Sequence, residues 1–350
     1  MTLALEDDLL YCIVFGPGFG ESILLRTPGQ EWVVVDGCRY PRKGNGISPA
    51  ASMLRERDVS WSAVVFTHPH EDHAAGLDEV LAWDGFGPVG CCPVAMDPLG
   101  QGTDSLDPER HYRRGSVEQV LSTIQDLWER EPDSRWELFR GSRRVIGDMA
   151  LTVLHPDKDR CQEVQKPNQL ASALLLEWGQ CRILLGADVE HEDWEEIQTV
   201  YPDLAHHTGM KYPHHGSLGA YHPVFAEGGE EERFWVMTPW NRGRKLPRYE
   251  DGEGLDKALK ACPRIHLTGL PLRHDLQAKP PYHTTREALR DGKEPLLQDQ
   301  TLPVGLSFTL LPEAEPLSHY VVAGFDKDGN LKDLQHGAGT VVVRAQDGEK

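Results

Sequence analysis

No stretch of this chain approaches the run of roughly 18 apolar residues that a membrane-spanning helix requires, so the sequence offers no membrane span. Residues 1–8 also lack the basic region and apolar core of a signal peptide, and the expectation is a soluble, cytoplasmic protein. Cysteine is scarce and unpatterned. Cys12, Cys38, Cys91, Cys92, Cys161, Cys181 and Cys262 are odd in number and contain no C-x-x-C, which argues against a disulfide framework and against a zinc ribbon. Positive charge is in deficit as well: 36 Lys and Arg stand against 55 Asp and Glu, a formal net charge of -19. An acidic surface repels a phosphate backbone, so a long, sequence-blind contact with nucleic acid is disfavoured. The partner that fits is a small or short anionic substrate, a nucleotide or a nucleic acid end at most, because bound divalent cations raise the potential at one place only. Internal repeats and low-complexity tracts are absent too.

What the chain does have is enough apolar residue to bury a core: 39% of 350 residues, with 26% charged. One domain with embellishments is expected. Short β-branched runs bounded by Gly and Pro predict strands over Leu10–Phe15, Ser22–Arg26, Trp32–Val35 and Ala63–Phe66, and helices over Pro49–Arg57 and residues 74–81. A helix over 117–129 then precedes strands over 135–139, 150–154, 173–177 and 182–185. The last of these opens through Gly186-Ala187-Asp188 onto a helix over 192–199. Two halves of similar order predict an α/β chain whose two mixed sheets pack face to face with helices outside, an αββα sandwich. Beyond residue 220, strands over Phe234–Met237, Arg264–Leu267, Tyr320–Phe325 and 340–344 are separated by polar, Pro-rich segments. Residues 1–220 therefore read as the core, and 221–350 as completion of the second sheet plus an insertion or lid, least regular over 270–317.

The chemistry concentrates in Thr67-His68-Pro69-His70-Glu71-Asp72-His73. His68, His70, Asp72 and His73 are potential ligands that arrive together directly after an apolar strand. A solvated polar loop is the bland alternative. Imidazole and carboxylate donors gathered where a loop can fold around two cations outweigh it. His68 and His70 alternate onto one side of the turn, and Asp72 and His73 reach a second ion alongside.

The run His68-Pro69-His70-Glu71-Asp72-His73 resembles the HxHxDH signature of the metallo-β-lactamase superfamily, and candidates for its other motifs follow in order. The resemblance implies the αββα fold of that superfamily and a role for each candidate. Asp36, in Val35-Asp36-Gly37, would support the histidines of the loop from behind. His155, in Leu154-His155-Pro156, would complete the histidine set of the first metal. Asp188 would bridge both metals. Within Lys211-Tyr212-Pro213-His214-His215-Gly216-Ser217, His215 precedes glycine as in the superfamily and is the implied ligand, with His214 left behind the ligands or against substrate. On this basis His68, His70 and His155 hold one ion, Asp72, His73 and His215 hold the other, and Asp72 and Asp188 are the catalytic carboxylates. Two divalent ions are implied, zinc first, although the same donors suit manganese or iron. A hydroxide shared between them, its pKa lowered from about 15.7 towards 7, is the implied nucleophile.

Smaller motifs address the substrate. Gly18-Phe19-Gly20-Glu21-Ser22 resembles the Gly-x-Gly-Asp-Ser run of the hydrolase domain of ComEC-type competence proteins, with Glu21 in place of Asp. Asn168 to Leu176, Leu184 to Asp188 and His214-His215-Gly216-Ser217 are similar to further segments of that domain. The resemblance implies phosphodiester hydrolysis, with Ser172, His214 and Ser217 near a substrate phosphate. Plainer alternatives stand beside it. Gly16, Gly18 and Gly20 can simply permit a tight strand entry, Ser217 can cap a helix and Ser172 can be a buried strand serine. The basic run from Arg242 to Arg248 can receive a phosphate or lie exposed against Glu250, Asp251 and Glu253. The resulting expectation is a dinuclear metal-dependent hydrolase, a phosphodiesterase or nuclease. Hydrolysis of a small ester, lactone or thioester on the same metals, and a hydrolase subunit activated by a protein partner, remain open alternatives.

Overall fold

Burial alternates along the strands and is complete on both faces. In β1 (Leu10–Phe15), Leu10, Cys12 and Val14 enter one apolar cluster while Tyr11, Ile13 and Phe15 enter another. A strand covered on both sides belongs to the middle of a layered structure. The same alternation runs through β9 (Leu174–Trp178), β10 (Cys181–Leu185) and β12 (Phe234–Met237), where Leu174, Leu176, Ile183, Leu185, Phe234 and Val236 join the cluster of Leu10 and Val14. That shared cluster is the space between two sheets.

The computed structural model describes residues 3–16, 19–40, 46–96, 115–163, 166–227, 233–240, 245–248, 252–269, 306–310, 319–337 and 339–345. The first sheet adds β2 (Ser22–Arg26), β3 (Trp32–Val35), β4 (Ala63–Phe66), β5 (Val89–Cys91), β6 (Arg135–Glu137), β15 (Tyr320–Phe325) and β16 (Leu331–His336), in the order β16-β15-β1-β2-β3-β4-β5-β6. The second adds β7 (Arg143–Ile146), β8 (Met149–Val153), β11 (Gly209–Lys211), β13 (Arg264–Leu267), β14 (Leu306–Leu310) and β17 (Val341–Ala345), in the order β14-β17-β13-β12-β11-β10-β9-β8-β7. Each sheet passes from antiparallel pairs (β1 to β3, β7 to β10) to parallel ones (β3 to β6, β10 to β13).

Helices close the outer faces. α1 (Pro49–Arg57), α3 (Leu77–Leu81) and α5 (Ser116–Arg130) cover the first sheet. Val117, Val120, Leu121, Ile124 and Trp128 form the buried stripe of α5 at helical spacing. α6 (His191–Val200) and α7 (Gly254–Ala261) cover the second sheet. The αββα sandwich expected from the sequence is the observed fold, and no described helix is long and apolar enough to cross a membrane.

Three details differ from the expectation. The helix expected over 74–81 is two pieces, α2 (Glu71–Ala74) and α3, because Gly76 between them is left-handed with φ 87°. A Cβ there would lie 2.8 Å from the Cys38 carbonyl oxygen. The C-terminal part completes both sheets, not the second alone: β15 pairs with β1, and β17 with β13. Within the stretch read as a lid, β14 pairs with β17, while 270–305 and 311–318 lie outside the described residues. So do Arg242, Gly243 and Arg244 of the basic run.

The carboxyl ends of the parallel strands meet at one edge of the sandwich. There an ion pair joins the layers: Lys211 Nζ, ending β11, lies 2.5 Å from Glu21 Oε2, just before β2, with the side chains 0% and 1% exposed. Burial pushes the Glu21 carboxyl up, but Lys211 overrides it and holds it below its ordinary value. Removing one partner of such a pair strands the other charge, at a cost of about 3–5 kcal/mol. Lys211→Met is expected to lower the unfolding free energy by about that much in urea titrations, and Glu21→Gln added to it should recover part of the loss. A single variant as stable as the parent would refute the bridging role.

Candidate metal centre

β3 ends at Asp36, whose φ of 57° is left-handed. A non-glycine residue there costs on the order of 1–3 kcal/mol and persists only where its surroundings over-determine it. They do so here. The Asp36 N–H donates to Val65 O at 2.8 Å, and its carbonyl accepts from Ser22 Oγ at 2.8 Å. Its carboxylate accepts from Thr67 N at 2.8 Å, Thr67 Oγ1 at 2.7 Å and His73 Nδ1 at 2.7 Å. The chain entering β2 is packed against the same loop: Glu21 N donates to Asp72 O at 3.0 Å. Gly20 permits this approach, since a Cβ on it would lie 2.4 Å from Asp72 O. Gly20 therefore serves a tight strand entry; Gly18 lies outside the described residues.

Hydrogen bonds on the far side of each ring fix which nitrogen faces the centre. His73 Nδ1 donates to Asp36, leaving Nε2 to face Asp188. His68 Nδ1 lies 3.0 Å from Thr67 Oγ1, whose own proton goes to Asp36, so His68 Nε2 faces inward. His215 Nδ1 donates to Thr238 O at 2.9 Å, and Thr238 Oγ1 donates to Glu21 Oε2 at 2.6 Å. His215 Nε2 is thereby turned to Asp72.

Two groups of ligand atoms result, one of Asp72, His73, Asp188 and His215 and one of His68, His70 and Asp188, each with its atoms within 4.8 Å of one another. Asp188 belongs to both. Its Oδ2 is 3.6 Å from His68 Nε2, and its Oδ1 is 3.4 Å from His73 Nε2 and 3.9 Å from His215 Nε2. Ligands held about 2.1 Å from a tetrahedral cation stand about 3.4 Å apart, close to these separations. His73 Nε2 and Asp188 Oδ1 are buried without a hydrogen-bond partner, which a buried polar atom rarely tolerates. The donors thus fit two cations.

The charges agree. Burial pushes the Asp188 carboxyl up, but His214, His73 and His215 override it and hold it well below 3.8. Asp72 is depressed in the same way by His215 and His73. Burial pushes His73 down, yet Asp188 and Asp36 hold it well above 6.5. His70, by contrast, is pushed down to about 4 by burial and by His68, which favours its neutral form at pH values above that.

No family model matches the chain, and no curated protein matches it. Among solved structures it is similar to a CmlA β-hydroxylase mutant at 15% identity and TM-score 0.35, over 65% of this chain and 40% of that one. A second CmlA structure, described as a diiron β-hydroxylase from Streptomyces venezuelae, matches at 16% identity and TM-score 0.28 over 52% and 30% of the two chains. A Cronobacter sakazakii metallo-β-lactamase mutant matches at 13% identity and TM-score 0.32 over 53% and 67%. This chain spans less than half of either CmlA chain. At such scores no chemistry transfers, and the two ligand groups stand on this chain's own geometry.

The remaining candidates fall in different places. His155 joins neither group: its Nδ1 donates to Ala171 O at 2.8 Å, and its Nε2 lies 3.5 Å from Asp193 Oδ1. It instead lines a cleft of about 120 Å³ with Asp157, Arg160, Gln169 and Asp193. His214 stands at the rim, with Nε2 3.8 Å from Asp188 Oδ2 and Nδ1 3.4 Å from Glu190 Oε1. Ser217 caps a short turn, its Oγ accepting from Gly219 N at 3.2 Å. Ser172 is buried; its backbone N–H donates to Thr67 O at 3.0 Å, and its Oγ has no partner. Sequence reasoning gave no role to Lys211, Thr238, Glu190 or Trp240, whose ring stacks on His215 at 5.7 Å. None of them carried a local signal; Lys211 ends a three-residue strand that the sequence did not announce.

Two outcomes follow from this geometry. Asp36→Asn loses the strong acceptor behind His73 and should weaken metal binding about 10–100-fold in equilibrium dialysis; unchanged affinity would deny Asp36 that role. In metal-stripped protein, the depressed Asp72 and Asp188 add stability that is present above about pH 3.8 and lost as pH falls. The raised His73 and His214 add stability that is present below pH 6.5 and lost as pH rises through their raised values. The thermal midpoint of stripped protein should therefore peak between pH 3.8 and 6.5, and one that keeps climbing above that window would contradict the assignment.

Proposed function

We propose that this chain is a dinuclear metal-dependent hydrolase of phosphodiester bonds in small or short anionic substrates. Zinc is the expected ion, and manganese or iron suits the same donors. The observation that carries the proposal is the double membership of Asp188, one carboxylate offered to two adjacent ligand groups. His68 and His70 would hold one cation with Asp188; Asp72, His73 and His215 would hold the other. Two divalent cations bound there acidify water towards neutrality and neutralise the negative charge that develops during phosphodiester cleavage.

The chain's own residues position and exclude. Asp36 and Thr238 hold His73 and His215 in the tautomer that presents Nε2. Trp240 covers the His215 ring. Burial pushes His214 down, but Asp188 and Glu190 raise it above 6.5, the direction that favours a donor to an anionic oxygen. Asn168 Oδ1 and Ser172 Oγ are buried without partners, and a bound substrate or water would satisfy them. Both lie in segments similar to the ComEC-type hydrolase domain, as does His214-His215-Gly216-Ser217, and this likeness favours phosphodiesters. The net charge of -19 favours the second reading, hydrolysis of a small ester, lactone or thioester on the same metals.

A panel of bis-aryl phosphodiesters, cyclic nucleotides and single-stranded DNA, set against esters, lactones and thioesters with zinc- or manganese-loaded protein, separates the two. Turnover confined to the second set would overturn the phosphodiester reading. Asp188→Ala should remove both the metal of this centre and turnover. His214→Ala should lower kcat by about 10²-fold or more, as losing one oxyanion donor does, while metal content is retained; loss of metal would make His214 a ligand instead.

A further inference from the structure

A separate group of donors lies on the outer side of the second sheet. His191 and Glu195 are one turn apart on α6, and His222 precedes a short turn at Pro223–Phe225. The ligand atoms of all three lie within 4.8 Å of one another. Glu195 Oε1 is 3.6 Å from His191 Nε2 and 3.2 Å from His222 Nε2. These separations bracket the roughly 3.4 Å expected between ligands of a tetrahedral cation. We propose that His191, Glu195 and His222 form a mononuclear site for a borderline divalent cation, zinc above all, distinct from the two-cation centre.

Three observations support the site. His222 is only 2% exposed, and its Nε2 is buried with no hydrogen-bond partner, since Glu195 is near but not aligned. An orphaned imidazole nitrogen aimed at a carboxylate and a second imidazole is what a cation satisfies. His191 Nδ1 donates to Tyr221 O at 2.7 Å, which turns its Nε2 lone pair towards Glu195, the arrangement usual behind a ligating histidine. Burial also holds the His222 ring below 6.5, the direction that favours the neutral, ligating form.

Binding gives up one contact. Val224 N donates to His222 Nδ1 at 3.3 Å; with a cation on Nε2 the ring proton moves to Nδ1, and this long bond is lost. A plain ion pair is the alternative, but an exposed His191–Glu195 pair is worth little, and the buried His222 Nε2 has Glu195 at 3.2 Å without completing a hydrogen bond to it. Two His and one Glu with a solvent-facing fourth position suit zinc. Such an ion would tie the start of α6, just after Asp188, to the chain just after His215.

Stripped protein dialysed against buffered micromolar zinc should take up one equivalent more than His191→Ala or Glu195→Gln, as measured by elemental analysis. Both substitutions are on exposed side chains and leave core packing intact. Cobalt loading should show a matching loss of tetrahedral visible absorption in these variants. Equal zinc content and equal cobalt spectra in parent and variants would overturn the site. Asp188→Ala separates this proposal from the two-cation centre: it should lose the zinc of that centre yet keep the equivalent that His191→Ala removes.

Discussion

The contact between Lys211 and Glu21 constrains everything at the functional edge, because it places opposite charges in the space between the sheets and shares them with the ligands. Thr238 Oγ1 donates to the same Glu21 oxygen, and His215 leans on Thr238. A shift of one sheet against the other would therefore move a ligand. The charge balance is also incomplete. Glu21, Asp36 and Asp188 are buried, with Asp72 nearly so, and among the described residues Lys211 is the one lysine or arginine paired with any of them. Buried anions are costly unless paired, and the histidines make up the difference only when protonated. Two divalent cations would settle that balance and let the histidines be neutral ligands, which is why the same geometry reads as both strained without metal and ordered with it.

Backbone conformation points the same way. Asp36, Ala187, His214 and His215 are non-glycine residues with left-handed φ, and each sits in a loop that follows β3, β10 or β11. Such conformations gather at sites where the structure holds a side chain against local preference. Ala187 O accepts from His214 N at 2.7 Å, so the loop that carries Asp188 and the loop that carries His215 brace each other. Rigid ligands of this kind lose little entropy when a cation arrives.

Much of this was legible in the sequence because the signals were local. Leu10–Phe15, Ser22–Arg26, Trp32–Val35, Pro49–Arg57 and Ala63–Phe66 are bounded by Gly, Pro or polar residues and lie where their patterns place them. The clustering of His68, His70, Asp72 and His73 around the centre is likewise a local fact of one loop. Illegible features depend on partners far along the chain. β11 is three residues long and includes a buried lysine, a strand that makes sense only once Glu21 is opposite. β15 carries no mark of which sheet it joins, since strands buried on both faces look alike. His155 has the right local setting for a ligand, but its Nε2 faces Asp193 and lies in neither ligand group, and no local pattern announces that. His222 acquires meaning only through α6, which brings His191 and Glu195 to it.

The overall charge and the local chemistry meet in the question of how large a substrate can be. Screening confines the attraction of a bound cation to roughly one Debye length, about 8–10 Å in physiological salt. On the proposed function, one phosphate within that distance of the centre would gain from the cations and from His214 beside them. A phosphate several nucleotides away gains nothing from them and meets a surface of a chain whose net charge is -19. Near the cleft beside His155 the basic side chains are largely committed, Arg140 to Asp157 and Glu196, and Arg160 to Glu196. On the proposed function, each further phosphate on an extended substrate would thus add repulsion without a matching contact, and the acidic surface would favour substrates whose charge is spent at the centre itself.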